Sequence, residues 1–258
     1  MSDITVIRPL DPETELDKLA ERYRRAGRGG IEVLNLVGAR AESLLDRLPA
    51  PVRGQLDIAA GKALTQAMAA ADRSRDTVSL KPAWMKTALT TAMGAAGGFT
   101  GLPGALVELP ITTTVLLRAI QDVAEEQGFD PAAENVKFDC IQVFAAAGPL
   151  AEDDGADLGF LTLRLTLSGG AMQKLVTAVA PRLAAVMGQK LAAQAVPVLG
   201  AAAGAATNYA YTSYYQQIAK VHFGLRRLAI DADIPHADLV EGLRVRLQGA
   251  PVRHSSAE

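Results

Sequence analysis

Gly94-Ala-Ala-Gly-Gly-Phe-Thr-Gly-Leu-Pro-Gly-Ala-Leu-Val-Glu-Leu-Pro-Ile-Thr-Thr-Thr-Val-Leu-Leu-Arg118 is an apolar run broken by small residues, two prolines and one carboxylate. An interior proline costs a helix about 3 kcal/mol, and a carboxylate in apolar surroundings costs several more unless it is paired or protonated. Both need compensation from the fold, which marks the stretch as a candidate site. Pro110 lacks the N–H that the Leu106 carbonyl would meet in a helix, and Glu108 stands beside it. A freed carbonyl and a carboxylate together can hold a cation or a polar head group. The competing reading puts Pro103 or Pro110 at a helix start with Glu108 in the first turn, where both are favoured.

Outward from this stretch the pattern is helical throughout. Asp11-Pro12 reads as an N-cap and N1 proline, with Leu16, Leu19 and Tyr23 on one face and Gly27 at the end. A second helix is expected over 30–48, stopping before Pro49-Ala50-Pro51, and a third over 52–71. Polar residues 72–79 and Lys81-Pro82 then separate an N-terminal helical region, 11–80, from a core spanning 81–249. Residues 1–10 and 250–258 read as tails. Within the core, Gly128-Phe-Asp-Pro131 ends one helix with a C′ glycine and opens the next with an Asp cap. Residues 161–167 alternate as a strand would but have no hairpin partner and are read as helix, and further helices are expected over 170–196 and from Pro197 to Asp231, with a short last one after Ile234-Pro235. The fold class is all-α: a compact multi-helix bundle with Gly/Ala-rich, closely packed central helices.

Composition supports that packing. The chain has 47 alanines and 23 glycines among 258 residues but only 5% aromatics, so helices can approach without large side chains between them. A net charge of −2 and no aromatic-interleaved basic cluster argue against nucleic acid as a partner. A single cysteine, Cys140, excludes an internal disulfide and is expected to be a buried small hydrophobe. The N-terminus has no signal-peptide pattern, so residence in the cytoplasm is expected, with peripheral contact at the inner face of the membrane as an extension. Residues 87–107 and 191–219 are uncharged, yet both carry polar residues and neither reads as a Leu/Ile/Val-rich span. Burial in protein and contact with the bilayer both stay open for them.

The candidate site residues follow from polar groups set in apolar runs. Lys190 stands between Leu183-Ala-Ala-Val-Met187 and Leu191-Ala-Ala, and either snorkels to the surface or pairs with Glu108. Asn208, Tyr211, Tyr215 and His222 form a polar stripe on an apolar helix, read either as a register-fixing network or as ligand contacts. Thr112 can satisfy a freed carbonyl, and Gly101 and Gly104 permit close approach. Glu108, Lys190, Asn208, Tyr211, Thr112, Gly101 and Gly104 are therefore the candidate ligand-binding set. No zinc spacing, EF-hand, Walker loop, nucleophile elbow or dinucleotide fingerprint is present, so no metal and no cofactor are expected.

Three segments resemble the EcsC family: Gly97-Gly-Phe-Thr-Gly-Leu-Pro-Gly running into Glu108-Leu-Pro and Arg118; Gly128-Phe-Asp before the Cys140 segment; and Val196-Pro-Val-Leu-Gly-Ala with Asn208. Together they cover roughly residues 86–231. Members often carry Asp where Glu108 stands. The resemblance implies a bacterial helical protein, associated by name with an ABC-transporter operon, and no established catalytic residues. Three functions are expected in order: a non-enzymatic accessory module that contacts the membrane, a lipid or another hydrophobic ligand and serves a transport system; an enzyme using Glu108 as general acid or base; and a docking subunit for a membrane complex.

Overall fold

The structure, a computed structural model, describes residues 11–37, 56–74, 110–146, 158–162, 170–194 and 200–248. The helices are α1 (Pro12–Val37), α2 (Leu56–Ser74), α3 (110–126), α4 (Glu134–Val143), α5 (Ala171–Gln194), α6 (Gly200–Asp231) and α7 (His236–Gln248), with a 3-10 turn at Gly159–Thr162. Among the described residues there is no strand, so the chain is an all-α bundle.

α1 starts as its sequence dictates. Asp11 Oδ1 accepts from the Glu13 amide at 3.3 Å, Oδ2 accepts from the Thr14 hydroxyl, and Glu13 and Glu15 sit in the first turn, where the helix dipole favours them. It does not stop at Gly27 as expected. The backbone there never turns left-handed, and one helix continues to Val37 where two had been expected, because an interior glycine costs a helix only about 1 kcal/mol. Leu16, Leu19, Ala20, Tyr23 and Ala26 recur at helical spacing and are all buried against α6 and α7.

α6, about 48 Å long at 1.5 Å per residue, is the axis of the bundle. α1, α4, α5 and α7 all pack on it. Small residues let them in. A methyl placed on Gly224 would lie 2.8 Å from Leu19 Cδ2, closer than any side-chain carbon sits, so α1 lies against bare α6 backbone. α2 packs on α5 less tightly, since a methyl on Gly61 would sit 3.7 Å from Ala180 Cβ, an ordinary contact distance. α3 is buried around most of its circumference, through Thr113, Leu116, Leu117, Ala119, Ile120, Val123 and Ala124. Burying each large side chain in this interior contributes about 1.5–3 kcal/mol.

α3 ends at Gly128 with a left-handed backbone, φ 80°. The Gly128 amide bonds the Glu125 carbonyl, and the Phe129 amide reaches back to the Ala124 carbonyl, each at 2.9 Å. Asp130 caps as expected, its Oδ1 accepting from the Ala132 amide at 2.8 Å, but what it caps is a turn over 131–133. α4 starts only at Glu134 and is already over at Val143. The expected helix over 161–167 appears as the 3-10 turn, and residues 163–169 lie outside the described residues. α5 and α6 follow the expected bounds closely, although α5 runs through Pro181 without breaking. Among the described residues no helix is long and apolar enough to cross a membrane.

Candidate functional site

α5 and α6 pack against each other and are joined through residues 195–199, a link short enough to make them antiparallel neighbours. Their register is fixed by Tyr211, whose hydroxyl donates to the Val186 carbonyl at 3.0 Å. One turn onward along α5 stands Lys190, and one turn back along α6 stand Thr207 and Asn208, so these residues share a level. α3 reaches the same level, because Lys190 Nζ donates to Thr112 Oγ1 at 3.2 Å. Lys190 is 1% exposed, so the snorkelling expected of it does not occur. Thr112, Thr113, Thr207, Asn208, Tyr211 and Thr212 are buried with it.

The result is a layer of hydroxyls, one amide and one ammonium inside an otherwise apolar bundle. Local bonds absorb part of its polarity: Thr212 Oγ1 donates to the Asn208 carbonyl at 2.8 Å, and Thr114 Oγ1 to the Pro110 carbonyl at 2.8 Å. Of the residues singled out by sequence, Thr112 and Lys190 touch, and Asn208 and Tyr211 lie on α6 beside them. Glu108, Gly101 and Gly104 lie outside the described residues. The pairing of Glu108 with Lys190 and the catalytic reading built on Glu108 lie there too.

The polar stripe of α6 continues with Tyr215 and His222, both buried. Burial pushes the Tyr211 and Tyr215 phenols well above their usual pKa, so both stay protonated. Their hydroxyls differ in surroundings: Tyr211 has the Val186 carbonyl, whereas Tyr215 finds no hydrogen-bond partner among the described residues and rests against the Phe144 ring at 5.1 Å. Opposite responses to one substitution are expected. Tyr211→Phe should lower the unfolding free energy by about 1 kcal/mol, and Tyr215→Phe should leave it unchanged or raise it. Urea unfolding of the two variants checks this, and a matching loss in both would show that the Tyr215 hydroxyl is satisfied.

A second polar cluster was not found by sequence reasoning. Asp139 of α4 receives Arg226 of α6 on Oδ2, and His222 Nε2 lies 3.5 Å from Oδ1. The Arg226 guanidinium also covers the Phe129 ring, 4.7 Å from its centroid, and Phe129 packs on Phe223 at 5.6 Å. The Gly128-Phe-Asp motif thus delivers an aromatic face to α6. Cys140 is buried and, as the single cysteine of the chain, forms no internal disulfide. The available signal was Asp139 itself, a carboxylate inside Val136-Lys-Phe-Asp-Cys-Ile141, where the apolar spacing buries its neighbours. Among the described residues no group of three His, Cys, Asp or Glu side chains converges as metal ligands.

Long helices meeting at bare backbone around a buried polar layer define an all-α, small-residue-packed bundle. The EcsC protein family model matches residues 73–228, and the chain belongs to the EcsC protein family. No curated protein and no solved structure matches it.

Proposed function

We propose that the protein is a non-enzymatic helical accessory protein that holds a lipid or another hydrophobic ligand with a polar head, working peripherally at a membrane surface. One observation carries the reading. The Lys190–Thr112 contact sits in an apolar interior, yet the residues next to Thr112 and Asn208 in sequence, Ile111 and Tyr209, are large, apolar and each 51% exposed. Polar anchoring and exposed apolar surface therefore occur at one level of the bundle, as an amphiphile requires. Tyrosine also suits the boundary between acyl chains and water.

Native mass spectrometry with lipid extraction, combined with flotation on liposomes of bacterial lipid, tests this reading. The wild-type chain should carry lipid and float. Lys190→Met removes the ammonium but keeps the volume, and should cut bound lipid about tenfold while the protein stays folded by circular dichroism. Ile111→Ser with Tyr209→Ser should weaken flotation. A wild-type protein with neither bound lipid nor flotation overturns the proposal.

A further inference from the structure

A groove of about 810 Å³ runs between α2 and α5, more than two turns from Lys190 along α5, and it takes no part in the polar layer. Its volume is in the range of small-molecule sites, roughly 300–1,000 Å³. Its floor is more apolar than its sequence suggests. Thr65 Oγ1 donates to the Gly61 carbonyl and Thr177 Oγ1 to the Gln173 carbonyl, each at 2.9 Å, so both hydroxyls are turned onto their own helices. Val176 and Ala180 complete the floor on α5, and Ile58 borders it on α2 while 62% exposed.

One polar feature of the floor is fixed. Pro181 lies inside α5 and has no N–H, which deprives the Thr177 carbonyl of its helical donor. Side chains on a helix lie over the turn before their own Cα, and Thr177 and Pro181 both line the groove, so this carbonyl is on the groove side. The rim carries one positive and one negative charge, Lys62 and Asp57, with the uncharged amides of Gln66 and Gln173, and is neutral in sum. An apolar trough, a neutral rim and a backbone acceptor select for a particular chemistry: an uncharged molecule with an alkyl chain and a hydrogen-bond donor.

We propose that the α2–α5 groove binds a neutral single-chain amphiphile with a hydroxyl or amide donor, such as a monoacylglycerol. The chain lies along Ile58, Val176 and Ala180, and the donor meets the Thr177 carbonyl. This site is separate from the Lys190 layer and stands or falls independently of it.

Pro181→Ala supplies the missing N–H, so the Thr177 carbonyl becomes paired within the helix, and the change also favours the helix. The variant should therefore fold at least as well as the wild type. The probe is 1-monodecanoylglycerol below its aggregation concentration, titrated calorimetrically against the full chain, with the dimethyl ether of the same compound as a donor-free control. Pro181→Ala should weaken the glycerol probe about 3–10-fold, the range for one hydrogen bond, and leave the ether unchanged. Ile58→Ser should weaken both probes, and Lys190→Met neither. Equal affinity of the glycerol probe for wild type and Pro181→Ala overturns the proposal, as does its failure to bind the wild type. A parallel loss of both probes in Pro181→Ala also overturns it, since the proline would then matter through shape alone.

Discussion

Arg226→Ala should lower the unfolding free energy by about 2–3 kcal/mol, one of the two largest effects expected from a single change in the described structure. Removing one partner of a fully buried ion pair costs about 3–5 kcal/mol, because the remaining charge is stranded. Here the pair is only mostly buried, with 23% of the Arg226 side chain and 15% of the Asp139 side chain exposed, so the figure is reduced. The loss has two parts: Asp139 keeps a carboxylate with no cation against it, and the Phe129 ring loses its cover. Arg226→Lys should recover only part, since a compact ammonium cannot both stack on the ring and reach the carboxylate. Asp139→Asn added to Arg226→Ala should recover some of what the single change lost, because it removes the stranded charge. Equilibrium urea unfolding of the set measures this, and a loss below about 0.5 kcal/mol for Arg226→Ala would make the cluster a solvated decoration.

The second large effect is acid sensitivity centred on His222. Its imidazole is 2% exposed, and burial lowers its pKa from 6.5 to about 4. The neighbouring Asp139 carboxylate pulls the other way, but its charge is committed to Arg226 and Oδ1 is 3.5 Å from Nε2, so burial prevails. The folded state therefore holds His222 neutral while the unfolded chain protonates it below about 6.5. Stability is full above that pH and falls as pH drops towards 4, where the loss from this residue levels off. The depression converts to about 3 kcal/mol, an upper figure because the carboxylate offsets part of it. Urea midpoints at pH 7 and 4.5 should separate more for the wild type than for His222→Gln. Carboxylates away from His222 contribute equally to both proteins, so the difference belongs to the histidine and its contact with Asp139. Identical pH profiles would show that His222 takes up its proton as readily in the folded protein as in the unfolded chain.

Sequence spacing was a good guide where a local signal has one physical meaning. The Asp11 cap, the Gly128 terminus and the bounds of α5 and α6 all rest on backbone chemistry within a few residues. It misled at Gly27, because a glycine ends a helix only where the chain also turns left-handed, and there the backbone stays helical through to Val37. Periodicity placed Lys190 in an apolar helix, but its burial and its contact with Thr112 depend on three helices meeting, which no single-helix pattern encodes. Arg226 and Asp139 are likewise separated by most of two helices and a turn. Pro181 is the opposite case: visible in the sequence, it acquires meaning only once α2 lies across its face.

The contact between Leu19 and the bare backbone at Gly224 bears on what counts as the unit of this family. The stretch by which relatives are recognised opens at residue 73, at the very end of α2. Part of the cover over the central helix therefore comes from outside it: α1 lies wholly before that point and α7 wholly after its end at residue 228, while α4 and α5 lie within it. Arg246 of α7 ties the two covers together through Glu13 and Asp17 of α1. The matched stretch thus holds α4, α5 and the central helix as far as residue 228, and α1 and α7 close the bundle from beyond its two ends.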